Sequence, residues 1–240
     1  MRVFSKLAVL GVAAALAQAT YASPVVTTWH YNVSTVFDTS TTLFSAGGGS
    51  TTNTPTLLQW GVVDAGHPLQ SGLEITGNPA IDKAFAGPIN TTISPALPSY
   101  PDSEIGLTQT FIHHNNILPS SSKTLLSVDA IGTLTLDPSV PDNPALPTFP
   151  PLTFHINFAE TPNNASPCAD PATSNPCPDI FVIGGGLNNF TFWYNTTSGA
   201  LSPVDPGDPE FNRYFVQIFP FPPNSSTPLQ TLSDAVKTAC

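Results

Sequence analysis

Alternation of apolar and polar residues, broken repeatedly by proline, glycine, asparagine and serine, is the feature that most limits what this chain can become. A period of two puts one face of a segment inward and the other outward, which is the pattern of a half-buried strand. In Val25–Phe37, Trp29, Tyr31, Val33 and Phe37 share one face while Thr28, His30, Asn32 and Ser34 share the other. Leu152–Phe158 repeats the pattern with Leu152, Phe154, Ile156 and Phe158. Thr124–Leu136 does so around Leu126, Val128, Leu134 and Leu136. Shorter strands are expected at Leu57–Gly61, Gln70–Thr76, Gly106–Ile112, Asp179–Ile183, Asn189–Tyr194 and Arg213–Phe219, with a weak signal at Ile89–Ile93. Proline lacks an N–H and locks φ, so Asp137–Pro151 reads as a connection that excludes helix. Asp38–Thr56, rich in Ser, Thr and Gly, reads as a long loop. Only Leu229–Thr238 has a helical pattern. The fold class expected is all-β: an antiparallel β-sandwich with long Pro/Gly/Ser-rich loops and at most one short C-terminal helix.

Charge excludes whole classes of partner. The 240 residues hold 16 acidic and 6 basic side chains. Two of the basic residues, Arg2 and Lys6, lie in the leader described below; without it the chain keeps Lys83, Lys123, Arg213 and Lys237 against 16 acids, a formal charge of −12. So few cations cannot neutralise a phosphate backbone or hold an anionic lipid surface, so neither nucleic acid nor a charged membrane is an expected partner. No glycine-rich loop follows a strand and opens a helix, so nucleotide binding has no support, and no cofactor is expected.

Residues 1–22 have the plan of a secretory signal peptide: Arg2 and Lys6 at the start, an apolar run from Leu7 to Ala17, and small residues before cuts after Ala19 or Ala22. The run is well short of the ~20 residues that span a bilayer, which argues against a membrane anchor. The mature chain is then one domain, 23–240, and it is secreted or held at the cell surface. In that oxidising setting Cys168 and Cys177 are expected to form a disulfide closing a short loop, with a stabilisation of roughly 2.5–3 kcal/mol. Cys240, the last residue, has no evident mate; either it pairs outside this chain or the chain stops early. Asn-x-Ser/Thr sequons stand at Asn32, Asn90, Asn189, Asn195 and Asn224. Trp29, Trp60 and Trp193 offer material for a sugar-stacking platform, although core packing is the commoner use of such residues.

The densest group of chemically capable side chains is the polar knot His113-His114-Asn115-Asn116 at the end of the Gly106–Ile112 strand. Adjacent histidines on a strand point to opposite faces, so the two cannot easily share one ion or one substrate. His67, His155 and Glu160 are further ligands only in principle, Val204–Glu210 lacks the spacing of a calcium loop, and no metal site is assigned. There is no nucleophile elbow, and neither a nucleophile nor a second carboxylate accompanies the knot. Paired acids at Asp102/Glu104 and Asp208/Glu210 read as solvated loop residues. The structural reading takes His113, Asn115 and Asn116 as a turn that pins the corner Glu160-Thr-Pro-Asn163, because asparagine bonds readily to nearby backbone and imidazole joins two loops. The functional reading makes the same five residues, His113, Asn115, Asn116, Glu160 and Asn163, a ligand site.

Several of these segments, in this order, resemble a family. Thr56-Leu-Leu-Gln-Trp-Gly61, Gln70-Ser-Gly-Leu-Glu-Ile75, Ile112-His-His-Asn-Asn-Ile-Leu118, Phe154-His-Ile-Asn-Phe-Ala-Glu-Thr-Pro-Asn163, Cys168 and Cys177-Pro-Asp-Ile-Phe181 follow one another as in the THxN family of exported bacterial proteins. That family usually carries a PEP-CTERM sorting tail. The resemblance spans about residues 25–240. Ile112 stands where the family has its name-giving threonine, whereas His113 and Asn115 match. The family's tail is missing after Cys240. The resemblance implies export and a place at a Gram-negative surface or matrix; it carries no established activity. A non-enzymatic secreted or surface protein contributing to extracellular matrix or adhesion, with polysaccharide or surface components as partners, is therefore the expected function. A secreted hydrolase using His113 or His114 with Glu160, or a metal-binding module in the same region, is the alternative.

Overall fold

The structure is a computed structural model, and it describes residues 23–76, 109–142, 149–169, 177–184 and 190–216, together with the backbone of 85–90. The leader, the Asp102/Glu104 pair, the Asn224 sequon, the Leu229–Thr238 segment and Cys240 lie outside the described residues. All regular elements described are antiparallel strands in three sheets. None of the described segments is a helix long and apolar enough to cross a membrane.

Two long strands organise the molecule. β1 (Thr28–Phe44) and β7 (Leu125–Val140) pair along nearly their whole length. They are the middle of a five-stranded sheet, ordered β5-β1-β7-β8-β9, with β5 at Phe85–Asn90, β8 at Leu152–Ala159 and β9 at Ile180–Gly184. Two smaller sheets supply the residues that complete its two cores. One is ordered β2-β3-β4-β6: Ser50–Asn53, Leu57–Gly61, Ser71–Thr76 and Thr110–His114. The other is ordered β11-β10-β12: Ala200–Ser202, Phe190–Asn195 and Asn212–Val216.

The inward residues of the long strands divide into two cores. Toward the start of β1, Trp29 and Val33 meet Leu134 and Leu136 of β7 and Phe192, Tyr194 and Tyr214 of the three-stranded sheet. Trp29 lies edge-on to Phe192 at 5.9 Å and to Tyr214 at 5.2 Å between ring centres, the offset geometry that aromatic quadrupoles favour. Toward its end, Phe37 meets Leu125, Val128, Ala130, Ile156 and Phe158, capped by Leu58, Trp60, Leu73 and Ile75 of the four-stranded sheet.

Three sequence expectations change. Asp38–Thr56 is not all loop: β1 runs on to Phe44 and β2 follows at Ser50–Asn53. β-branched threonines suit a pleated edge, and the turn between the strands needs Gly49, whose φ is +92° and whose added Cβ would lie 2.3 Å from the Gly61 backbone. The Asp137–Pro151 connection begins later than expected, because β7 continues to Val140 through Pro138. The missing N–H is tolerated there because a register shift falls between Thr28 and Trp29 opposite it. Leu126 does not point inward with Val128. Leu125 does, and Leu126 is 41% exposed. A bulge opposite Leu43 and Phe44 inserts one residue into β7 and inverts the alternation at that point.

Candidate functional site

The knot lies at one end of the second core. β6 is an edge strand of the four-stranded sheet, and β9 is an edge strand of the five-stranded sheet. β6 pairs with β4 in a register that sets Leu73 against His113 and Gly72 against His114. Strand alternation then separates the two histidines. His114 turns outward, where its Nε2 lies 2.8 Å from Glu74 Oε2, both side chains being well exposed. His113 turns inward, stacks edge-on to Phe158 at 5.3 Å, and brings Nε2 to 3.1 Å from Asp179 Oδ2. The Asp179 side chain is wholly buried. The approach is an ion-pair distance, but neither atom makes a hydrogen bond of ordinary geometry.

Asp179, just before β9, corrects the expectation that no second carboxylate accompanies the knot. It also replaces Glu160 as the acidic neighbour of His113. Its other oxygen, Oδ1, accepts from the Thr161 backbone N–H at 2.6 Å. Glu160 leaves β8 in the same place but faces different donors: the indole N–H of Trp60 reaches Oε2 at 2.7 Å, and the Ser71 hydroxyl lies 3.2 Å from Oε1. Burial raises the Glu160 pKa from 4.5 to about 7, with the Asp179 carboxylate adding to the rise, while the Trp60 and Ser71 hydrogen bonds oppose it. The result is a carboxyl group that takes up a proton near neutral pH inside the protein.

The asparagines act on backbone and on each other. Asn115 Nδ2 donates to the Cys177 carbonyl at 3.1 Å, and Asn163 Nδ2 donates to Asn115 Oδ1. The Cys177 N–H in turn donates to the Asn163 carbonyl at 2.8 Å. Cys168 and Cys177 stand at disulfide distance, 2.05 Å between sulfurs, both buried. Asn116 Nδ2 donates to the Gln70 carbonyl at 2.8 Å, and its backbone N–H donates to Ser71 Oγ at 3.3 Å. One corner of the sandwich therefore gathers β4, the end of β6, the exit of β8 and the entry of β9. Beside it lies an open depression of about 450 Å³, bordered by His67, Leu69, Asn115, Asn116, Ile117 and Asn163.

His67, on the rim of that depression, pairs with Asp64 at 3.0 Å, and His155 pairs with Asp129 at 2.6 Å; no group of three or more potential metal-ligating residues is found among the described residues. In the acidic loop, Asp205 Oδ1 and Asp208 Oδ1 accept from the backbone N–H groups of Gly207 and Glu210, and Glu210 Oε2 accepts from Asn195. Those acids shape turns. Asn195 is 3% exposed and its Oδ1 accepts from Thr197 and Ser198 N–H groups, so this sequon is closed to a glycan in the folded state. Trp29 and Trp60 are core residues, 5% and 0% exposed, so the three tryptophans form no common platform.

Sequence reasoning missed Asp179, Trp60 and Ser71. An acid placed directly between Cys177-Pro178 and the apolar Ile180–Ile183 is the one signal that could have marked the first, since a lone carboxylate at a buried strand entry needs partners. Comparison with protein-family models, with curated proteins and with solved structures returns no match.

Proposed function

We propose that this chain is an exported, non-enzymatic β-sandwich that contributes to an extracellular matrix or to adhesion at a bacterial surface. The observation that carries the reading is the direction in which the polar corner's groups point. Asn115, Asn116 and Asn163 bond to backbone carbonyls and to one another, and Asp179 holds the Thr161 N–H. Among the described residues, the hydroxyl hydrogen-bonded to Glu160 belongs to Ser71, which is 0% exposed and closed to any substrate. The corner thus serves as a clamp between sheets. The leader-like start and the resemblance to the exported THxN family support the same reading. Its test is retention of purified 23–240 by polysaccharide extracted from the producing cells and on a glycan array. Binding to matrix polymer is the expected result, and a protein that binds neither polymer nor cells sinks the reading.

One observation favours a second reading, a secreted hydrolase. A carboxyl with a pKa of about 7 is suited to general-acid work, and Glu160 borders a second open depression of about 370 Å³ with Asn157 and Leu126. A hydrolytic activity lost in Glu160→Gln while the fold is kept would establish it.

A further inference from the structure

The outer face of the three-stranded sheet carries a group that the clamp does not use. Phe192 and Tyr194 of β10 and Tyr214 of β12 point into the first core. Alternation therefore sends Trp193, Arg213 and Phe215 outward. Trp193 lies opposite Arg213 in one ladder and opposite Ser202 in the other. The Arg213 guanidinium sits 5.8 Å from the indole centre, Arg213 is exposed, and Phe215 is 40% exposed. On the β11 flank the strand facing the indole offers only the small residues Ala200 and Ser202 on that side.

Arg213 is one of four cations in a mature chain with 16 acids. Yet the ion pairs among the described residues are all His–Asp or His–Glu, and none involves Arg213. In an acidic protein, a guanidinium stacked on a partly exposed tryptophan, with no carboxylate paired to it among the described residues, is a site suited to an anionic ligand. Aromatic faces pack against the C–H face of a pyranose, and the planar guanidinium fork matches a carboxylate with two parallel hydrogen bonds. We propose that Trp193, Arg213 and Phe215 form a binding platform for a uronic-acid-containing polysaccharide. The sugar ring stacks on the aromatic surface and its carboxylate meets Arg213. This rests on the adhesion reading above and names its ligand class and site.

The test uses purified 23–240 with polygalacturonate and with neutral galactan as probes, read for every variant by isothermal titration calorimetry. Trp29 and Trp60 are buried, so in wild type and the Arg213 variants a saturable change in tryptophan fluorescence also reports on Trp193. Polygalacturonate is expected to bind in preference to galactan. Trp193→Ala is expected to weaken it roughly tenfold. Arg213→Gln is expected to abolish the preference, and Arg213→Lys to restore it only in part, because an ammonium lacks the fork. All three residues point outward, so unchanged far-ultraviolet circular dichroism and melting confirm that the variants fold. Equal binding by wild type, Trp193→Ala and Arg213→Gln overturns the platform and leaves adhesion standing through another surface. Galactan bound as well as polygalacturonate overturns the uronate assignment. A wild-type dimer that Trp193→Ala dissolves overturns it in favour of a second copy of the chain. Failure of both probes, with cell-derived polymer still retained, overturns the inference alone; loss of that retention as well overturns both readings.

Discussion

Glu160 shows how much one side chain's surroundings matter. Its folded pKa of about 7 lies above the unfolded value of 4.5, so between those pH values the folded state holds a proton that the unfolded state has released. The stability it contributes is therefore full below about 4.5 and lost as pH rises through about 7, the reverse of an ordinary paired carboxylate. Glu160→Gln keeps an acceptor for the Trp60 indole and stays neutral. The variant should melt close to wild type at pH 5 and above it at pH 8, by an amount on the order of 2 kcal/mol. Asp179→Asn removes the nearby charge and should move the wild-type pH transition toward acid. Melting curves across this range check both, and identical pH profiles for wild type and Glu160→Gln would contradict the assignment.

At the scale of elements, the corner is a clamp between strands distant in sequence. Asn115 ties the end of β6 to the Cys177 carbonyl at the entry to β9, and Asn163 ties the exit of β8 to Asn115. Asn115→Ala removes two side-chain hydrogen bonds from a partly buried place and should cost roughly 1–3 kcal/mol. The paired change Cys168→Ser with Cys177→Ser opens a loop of sequence separation 9. It should cost about 2.5–3 kcal/mol by loop entropy. Because both changes loosen the same corner, the combined variant should lose less than their sum. Denaturant titrations of the set check this, and strict additivity, or an Asn115→Ala indistinguishable from wild type, counts against a clamp. The knot was legible as a polar turn and as strand-split histidines. Its mates were not, since Ser71, Cys177 and Asp179 reach it through contacts between strands far apart in the chain.

At the scale of the whole molecule, β1 and β7 belong to both cores, so neither half has a backbone of its own. Trp29 reports on one core and Trp60 on the other. Variants with Trp29→Phe or Trp60→Phe should therefore unfold at coincident midpoints by fluorescence and by circular dichroism. Trp29→Ala and Phe37→Ala should each cost about 3–5 kcal/mol and lower the single transition as a unit. Two separated transitions would mean that the halves fold independently.

Period-two patterning in Val25–Phe37, Leu152–Phe158 and the shorter runs determined an all-β chain and the inward faces of its strands, because alternation is a local property of the pleat. Composition determined the excess of acid, 16 acidic against 6 basic side chains. The tertiary structure alone decided where alternation slips, as at Leu125–Leu126, since a bulge is defined only against the partner strand. It alone separated Trp193, on an outer face beside Arg213, from Trp29 and Trp60 in the two cores. It alone set Asp179 beside His113 and Glu160 against Trp60, because a buried carboxyl's partners are chosen by strand pairing across long stretches of chain, which no local pattern encodes.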